Sequence, residues 1–173
     1  LYPETFNATK ATTPKEIIER SLDEMAEVLT PEIIDKFQDQ GLGIHEAVTL
    51  ASIVLKESSN PEDQKTIAGV FYNRLAQGMV LGSDVTYQYI ADITGQERSA
   101  NIDSPYNTRK NGGLPPGPIA NVTKNALNAV ASPVKTDYLY FVAGDDGNIY
   151  YAKTLAEHEA NVEKHCIQLC STY

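Results

Sequence analysis

Glu57 is the side chain whose position in the sequence is best suited to chemistry. It follows Leu50, Ile53 and Val54 by seven, four and three positions, so on a helix it shares one stripe with three apolar side chains. An apolar environment and a nearby helix C-terminus both disfavour a charged carboxylate and so raise its pKa. A carboxyl group protonated near neutral pH can act as a general acid, for example on a glycosidic oxygen. The same pattern also fits an ordinary solvated glutamate at a helix end.

Two polar segments further along the chain contain residue types that hydrogen-bond and stack against sugars. The first, residues 81–86, is equally typical of a helix N-terminus, and the second, residues 106–108, of a turn closed by an aromatic side chain. A groove for a glycan is therefore a reasonable hypothesis beside these simpler structural roles. The candidates in the two segments are Ser83, Asp84, Thr86, Tyr106, Asn107 and Thr108.

Motifs for other kinds of site do not match the sequence. His45 and the glutamate after it begin like the HExxH metalloprotease motif, but Thr49 stands where the second histidine is needed. The histidines and cysteines near the C-terminus fit no common zinc spacing. Cys166 and Cys170 are expected to be free or loosely paired thiols, although four residues on a helix also bring two cysteines within disulfide range. We expect neither a metal nor a cofactor.

Capping and turn residues divide the chain into short elements that would position these side chains. Apolar periodicity between the caps predicts helices over residues 15–29, 31–40, 44–58, 61–76, 84–90, 123–132 and from 154 onward. The third helix is apolar on most of its circumference, so it should be the buried central one. Residues 138–142 and 149–152, separated by an Asp-Asp-Gly-Asn turn, predict a β-hairpin.

A long segment without periodicity separates the fifth and sixth helices. Residues 94–122 are rich in Gly, Pro, Asn and Ser, and a loop of this length in a small domain is usually functional or disordered. Pro115, Pro116 and Pro118 restrict the backbone, which favours a shaped loop. We expect residues 106–119 to form one wall of a groove that faces Glu57 and to be ordered before a ligand arrives.

Length and composition limit the possible classes of protein. A chain of 173 residues corresponds to one domain, over residues 1–173, and 42% hydrophobic with 21% charged residues is typical of a folded globular protein. The formal net charge of −9 argues against a nucleic-acid partner. The longest mainly apolar run, residues 47–55, is far shorter than the ~20 residues that span a bilayer. The predicted fold class is α+β: a mostly helical single domain with a small antiparallel sheet and a long irregular loop lining a groove.

Several sequence blocks, taken in order, resemble the endolytic murein transglycosylase family, also called YceG-like. The opening Leu-Tyr-Pro-Glu-Thr, the Leu-Lys-Glu-Ser that ends the central helix, the Tyr-Asn-Arg-Leu after it and the Gly-Leu-Pro-Pro-Gly-Pro of the loop are all similar to family segments. One such block is a weak signal, whereas several in family order are a strong one. The similar blocks lie at residues 1–6, 50–58, 67–75, 78–84, 104–108, 113–119, 138–142 and 154–162.

The resemblance implies an enzyme that cuts peptidoglycan glycan strands between N-acetylmuramic acid and N-acetylglucosamine and leaves 1,6-anhydro-muramyl ends. The family's catalytic glutamate falls on Glu57, and Ser58, Asn73 and Pro116 would join the two polar segments in binding substrate. Family proteins usually carry a membrane anchor and a LysM-like subdomain before the catalytic part, and this chain resembles the catalytic part alone. It would act at the extracytoplasmic face of the cell membrane, held there only by an anchor outside this chain. Peptidoglycan synthases are possible partners.

The sequence departs from the family pattern at four places. Leu55 replaces a frequent glutamate, Asp63-Gln64 replaces a Glu-Arg pair, Val85 replaces a proline, and Arg109 replaces an aromatic residue. If the resemblance holds, a carboxylate at position 55 is not essential. Two alternatives remain open at this point: a muramidase-type hydrolase that uses Glu57 with Asp84, and a non-catalytic peptidoglycan-binding or scaffold module that recruits synthases.

Overall fold

Seven α-helices and one antiparallel hairpin are found in the computed structural model, which describes residues 1–172. This confirms the predicted mostly helical α+β class. The helix that was expected to stop at residue 90 continues for one more turn and ends against a left-handed Gly95. The elements are α1 (Pro14–Val28), α2 (Pro31–Asp39), α3 (Ile44–Glu57), α4 (Pro61–Ala76), α5 (Asp84–Thr94), α6 (Lys124–Ala131), β1 (Tyr140–Ala143), β2 (Ile149–Ala152), α7 (Leu155–His165) and the short 3₁₀ helix Leu169–Thr172.

Side-chain caps explain why five of the helices begin where they do. In α1, α2, α4, α6 and α7 the residue before the helix is Thr or Asn, and its side-chain oxygen accepts a backbone N–H of the first turn. Proline occupies the first helical position of α1, α2 and α4, where its missing N–H costs nothing. The exception that matters for the site is α5, whose N-cap residue Ser83 makes no side-chain cap hydrogen bond.

The central helix is α3, as its composition predicts. It packs mainly against α4 and α6, and its residues 49–54 are buried. Phe37 of α2, Phe71 of α4 and Leu127 of α6 are fully buried around it. This core fixes the axis of α3, and therefore the place where its C-terminal residue Glu57 emerges.

The chain between α6 and β1 lies along α4 with almost no space between the two backbones. A Cβ atom on Gly69 would stand 2.3 Å from the carbonyl oxygen of Val134. One turn further along α4, Asn73 Nδ2 donates to the carbonyls of Thr136 and Tyr138 at 2.8 and 2.9 Å. These contacts attach the hairpin to α4.

The C-terminal segment is closed by a disulfide between Cys166 and Cys170. The expectation of free or loosely paired thiols is therefore wrong. The carboxylate of Asp145, in the turn between β1 and β2, accepts backbone N–H bonds from residues 167–169 at 2.9–3.0 Å. The disulfide loop is thus held against the hairpin. Within residues 1–172, no helix has both the length and the apolar character to cross a membrane.

Gly69→Ala tests the close contact between α4 and the segment before β1. Alanine favours a helix by about 1 kcal/mol over glycine, so propensity alone predicts a more stable protein. The contact with the Val134 carbonyl opposes this, and we expect a net loss of about 1–3 kcal/mol in the free energy of unfolding.

The control is Gly112→Ala, because a Cβ atom there meets nothing within 4 Å. Urea denaturation should show a change within about 0.5 kcal/mol for the control. Equal stability of the two variants would contradict the close-contact interpretation.

Candidate active site

Glu57 is the last residue of α3, and its carboxyl group is largely removed from solvent. Leu50, Ile53 and Val54, the residues on its stripe, are fully buried. The carboxyl oxygen Oε1 accepts a hydrogen bond from Ser83 Oγ at 2.5 Å. The Ser83 hydroxyl, which at an N-cap position would ordinarily accept a backbone N–H of α5, instead donates to Glu57.

The pKa of Glu57 is raised from near 4.5 to about 7, chiefly because burial disfavours the charged carboxylate. The Ser83 hydrogen bond opposes this by stabilising the carboxylate form, and the nearby negative charge of Asp84 adds to the increase. The positive charges of Arg74 and Arg109 lower the pKa slightly. Glu57 can therefore both donate and accept a proton near neutral pH.

Ser83 is held in place by the start of the long loop. Its backbone N–H donates to Thr108 Oγ1 at 3.1 Å, and its carbonyl accepts from Thr86 Oγ1 at 2.7 Å. The preceding Gly82 has a φ of +63° and donates its N–H to the Thr108 carbonyl at 2.9 Å. A residue with a Cβ atom is disfavoured at that φ, so the turn that presents Ser83 requires glycine.

Thr86 and Thr108 form a buried pair behind Ser83. Both side chains are almost completely inaccessible, and their hydroxyl oxygens are 3.0 Å apart. Their hydrogen bonds go to each other and to the backbone of Ser83 and Thr108. The direct substrate contact expected for these two threonines is not what the structure shows, because neither side chain reaches solvent. They hold Ser83 against Glu57.

Asn107 is also fully buried, although it was expected to contact a sugar. Its Nδ2 donates to the carbonyls of Ala100 and Ile102 at 2.8 Å each, and its Oδ1 accepts the N–H of Arg109. These bonds close the first part of the loop. The side chain of Asn107 stabilises the loop conformation, and it has no solvent-accessible surface that a ligand could contact.

The second part of the loop lies against α3. The Ile119 N–H donates to Ser52 Oγ at 2.9 Å, and His45 Nε2 lies 2.9 Å from the Pro116 carbonyl oxygen. Tyr106 is half-buried and packs against Tyr89 of α5, with ring centroids 5.4 Å apart. The loop is thus attached to α5 near Ser83 and to both halves of α3.

Asp84 and Arg109 form an ion pair next to the Glu57–Ser83 contact. Their side chains keep 34% and 46% of their surface exposed, so a ligand can reach both. The family's usual aromatic residue at position 109 would leave Asp84 without this partner. The pair therefore places one anionic and one cationic group at the edge of the site.

Arg74 is a residue of the site that the sequence did not single out. Its Nε donates to the Leu139 carbonyl and its Nη1 to the Leu81 carbonyl, each at 2.5 Å, and its guanidinium lies 5.2 Å from the ring centroid of Tyr140. Arg74 links the start of β1 to the turn before Ser83. The only signal in the sequence is its place in the Tyr-Asn-Arg-Leu block.

The other expected site residues have different locations. Ser58 is the C-cap of α3, directly after Glu57, and the fully buried Gln64 donates to its carbonyl at 2.7 Å. The side-chain amide of Asn73 donates its hydrogen bonds to the segment before β1, as described above. The exposed Pro116 lies beside His45 at the opposite end of α3. The structure therefore brings together residues 57–58, 83–86 and 106–109. The Asn73 amide is engaged by the segment before β1, and Pro116 lies at the other end of α3.

The chain is similar along nearly its whole length to proteins of one family. The profile of the YceG-like family matches residues 1–164. A protein of Streptococcus pneumoniae strain D39 named endolytic murein transglycosylase is 38% identical over 174 residues, covering 95% of this chain and 31% of that protein. A Bacillus subtilis protein of the same name is 36% identical over 168 residues, covering 95% of this chain and 47% of that protein.

A similar structure is known as well. The crystal structure of a YceG-like protein from Listeria monocytogenes superposes with a TM-score of 0.78 at 39% identity, covering 92% of this chain and 53% of that one. The chain thus spans between 31% and 47% of the length of the curated relatives named above.

The raised pKa of Glu57 predicts how stability depends on pH. Between about pH 4.5 and pH 7 the folded protein binds a proton that the unfolded chain does not, so the free energy of unfolding falls as pH rises. Glu57→Gln cannot ionise and lacks this contribution. We expect the stability of the wild type relative to Glu57→Gln to fall by up to about 3 kcal/mol between about pH 4 and pH 8, as measured by urea denaturation. A difference that does not change with pH would show that Glu57 titrates normally in the folded protein.

Proposed function

Because the chain belongs to the YceG-like family, we propose that it cleaves the glycan strands of murein between N-acetylmuramic acid and N-acetylglucosamine. The relatives that carry the name endolytic murein transglycosylase are two to three times longer than the matched part, so their activity is assigned here to the part that contains Glu57. The observation that carries the proposal is the Glu57 carboxyl group, whose pKa lies near 7 beside a serine hydroxyl.

The first chemical step uses Glu57 as a general acid. Its carboxyl proton passes to the glycosidic oxygen while the bond between that oxygen and C1 of the muramyl sugar breaks. The charge that develops on C1 can be stabilised by the sugar's own 2-acetamido carbonyl. A pKa near the working pH favours this step, because a large fraction of the enzyme then carries the proton.

The second step uses the same residue as a base. The C6 hydroxyl of the muramyl sugar attacks C1, and its proton passes to the Glu57 carboxylate, which restores the acid and yields the 1,6-anhydro end. No water is consumed, so one carboxyl group is sufficient. A hydrolase commonly requires a second carboxylate to activate water.

Ser83 has a positioning role in this proposal. Its hydroxyl donates to one carboxyl oxygen, which orients the group and stabilises the carboxylate after proton transfer. The buried pair of Thr86 and Thr108 and the loop residue Asn107 keep Ser83 in place, as the contacts above describe. Asp84, Arg109 and Tyr106 are the partly exposed side chains that remain for direct contact with the glycan.

The proposed location is the extracytoplasmic face of a bacterial membrane, where murein is found. The Cys166–Cys170 disulfide supports this location, because disulfides persist mainly outside the reducing cytoplasm. Attachment to the membrane would come from an anchor outside this chain.

A muramidase-type hydrolase is the second candidate, and one observation favours it. Asp84 follows Ser83 directly, keeps part of its carboxylate exposed, and is close enough for its charge to raise the pKa of Glu57. A carboxylate at this position could activate a water molecule. Its ion pair with Arg109 argues against it, because the guanidinium already occupies one oxygen of the carboxylate that would have to bind the water.

Glu57→Gln is expected to reduce murein cleavage by at least the ~10²–10⁴-fold typical of general acid–base catalysis. Glutamine has nearly the same shape, so the fold and the binding of glycan strands should remain. Glu27→Gln, an exposed carboxyl on α1, is the matched control and should retain full activity. Release of soluble fragments from purified murein measures the rates, and near wild-type cleavage by a folded Glu57→Gln protein would remove Glu57 from the mechanism.

Mass spectrometry of the fragments distinguishes the two reactions. Anhydro-muramyl ends are expected, whereas reducing ends labelled from heavy-oxygen water would establish the hydrolase. A folded wild-type protein that binds murein without cutting it would identify a binding module.

A further inference from the structure

A small polar cavity lies next to the candidate active site and takes no part in the mechanism above. It has a volume of about 240 Å³, smaller than the ~300–1,000 Å³ of sites that hold whole small molecules. Lys56 of α3 stands on one side, and Gln88, Tyr89 and Asp92, on one face of α5, form the other. A cavity of this size fits one side group of a larger ligand.

The cavity carries more positive than negative charge. Arg98 binds both carboxylate oxygens of Asp92 with two hydrogen bonds, of 3.0 and 2.9 Å. Lys56 is exposed and adds a second positive charge that acts on Asp92 electrostatically, but within residues 1–172 its ammonium group makes no hydrogen bond or ion pair. The Gln88 amide and the Tyr89 hydroxyl add groups able to donate hydrogen bonds. This combination suits a carboxylate.

The position of the cavity relative to Glu57 suggests where the carboxylate comes from. Lys56 and Glu57 are consecutive, with Cα atoms ~3.8 Å apart, and their side chains leave α3 about 100° apart. In murein the muramyl sugar that is cut at C1 carries a lactyl ether at C3, and the peptide stem begins there. A sugar with its C1 at Glu57 therefore begins its stem only two ring bonds away, close enough for the stem to extend to the neighbouring cavity.

We propose that this cavity binds a carboxylate of the peptide stem, with Lys56 as the principal contact. The proposal rests on the proposed function, since it assigns to the same site a preference for strands that carry stems. This preference concerns the peptide stem on the muramyl sugar. It does not depend on the proton transfers at Glu57.

The test compares glycan oligomers of defined length that carry peptide stems with the same oligomers after an amidase has removed the stems. The wild type should show a higher kcat/KM on the oligomers with stems. Lys56→Gln should reduce the ratio of the two kcat/KM values by about fivefold or more, because a charge-assisted hydrogen bond is lost. Lys124→Gln, which removes an exposed lysine on α6, should leave the ratio unchanged. An unchanged ratio in Lys56→Gln would overturn the proposal.

A binding measurement separates this inference from the proposed function. A synthetic stem tetrapeptide with free carboxylates, and its carboxamide analogue, are titrated into the wild-type and Lys56→Gln proteins and followed by NMR. The free acid should shift the amide signals of Gln88 and Tyr89, and it should bind the variant about fivefold more weakly or worse. Absence of these shifts, or equal affinity for both proteins, contradicts the stem site even if murein is cleaved. If murein is not cleaved, the same shifts would still support the stem site.

Discussion

The candidate site depends on one carboxyl group that the fold largely shields from water. Glu57 ends a helix whose other residues on the same stripe belong to the core, so its half-buried side chain lies beside an apolar surface. Burial of an acidic group is costly, and here the cost appears as a pKa near 7. The Ser83 hydrogen bond and the charges of Arg74 and Arg109 oppose this increase in pKa, so Glu57 can still release its proton near neutral pH.

Ser83 opposes the effect of burial on the pKa of Glu57, and the surrounding residues hold Ser83 in position. A serine at the N-cap of a helix normally stabilises the helix by about 1 kcal/mol through its hydroxyl, and α5 gives up this bond. The hydroxyl goes to Glu57, while Thr86 and Thr108 hold the serine backbone from behind and Arg74 holds the preceding turn through the Leu81 carbonyl. The long loop thus acts on the site through buried hydrogen bonds near Ser83.

The parts of the structure that sequence could predict are those with local causes. Helix caps, the hairpin turn and the stripe that contains Glu57 all involve residues fewer than about ten positions apart, so pattern and spacing identify them. The roles of Asn73 and Arg74 could not be predicted, because they depend on carbonyls 63 to 65 residues further along the chain. Asn107 was assigned to the ligand because the same residue type binds sugars and closes loops, and only its burial separates the two roles.

The most direct test is a ¹³C NMR titration of the Glu57 carboxyl carbon in the folded wild-type protein. The signal is assigned by its absence in Glu57→Gln. Burial predicts a midpoint at about pH 7 for this carbon, well above the usual glutamate value near 4.5. A Glu57 midpoint at that usual value would mean that the carboxylate is already ionised at neutral pH. It would contradict the assignment of Glu57 as the group that donates and then recovers the proton.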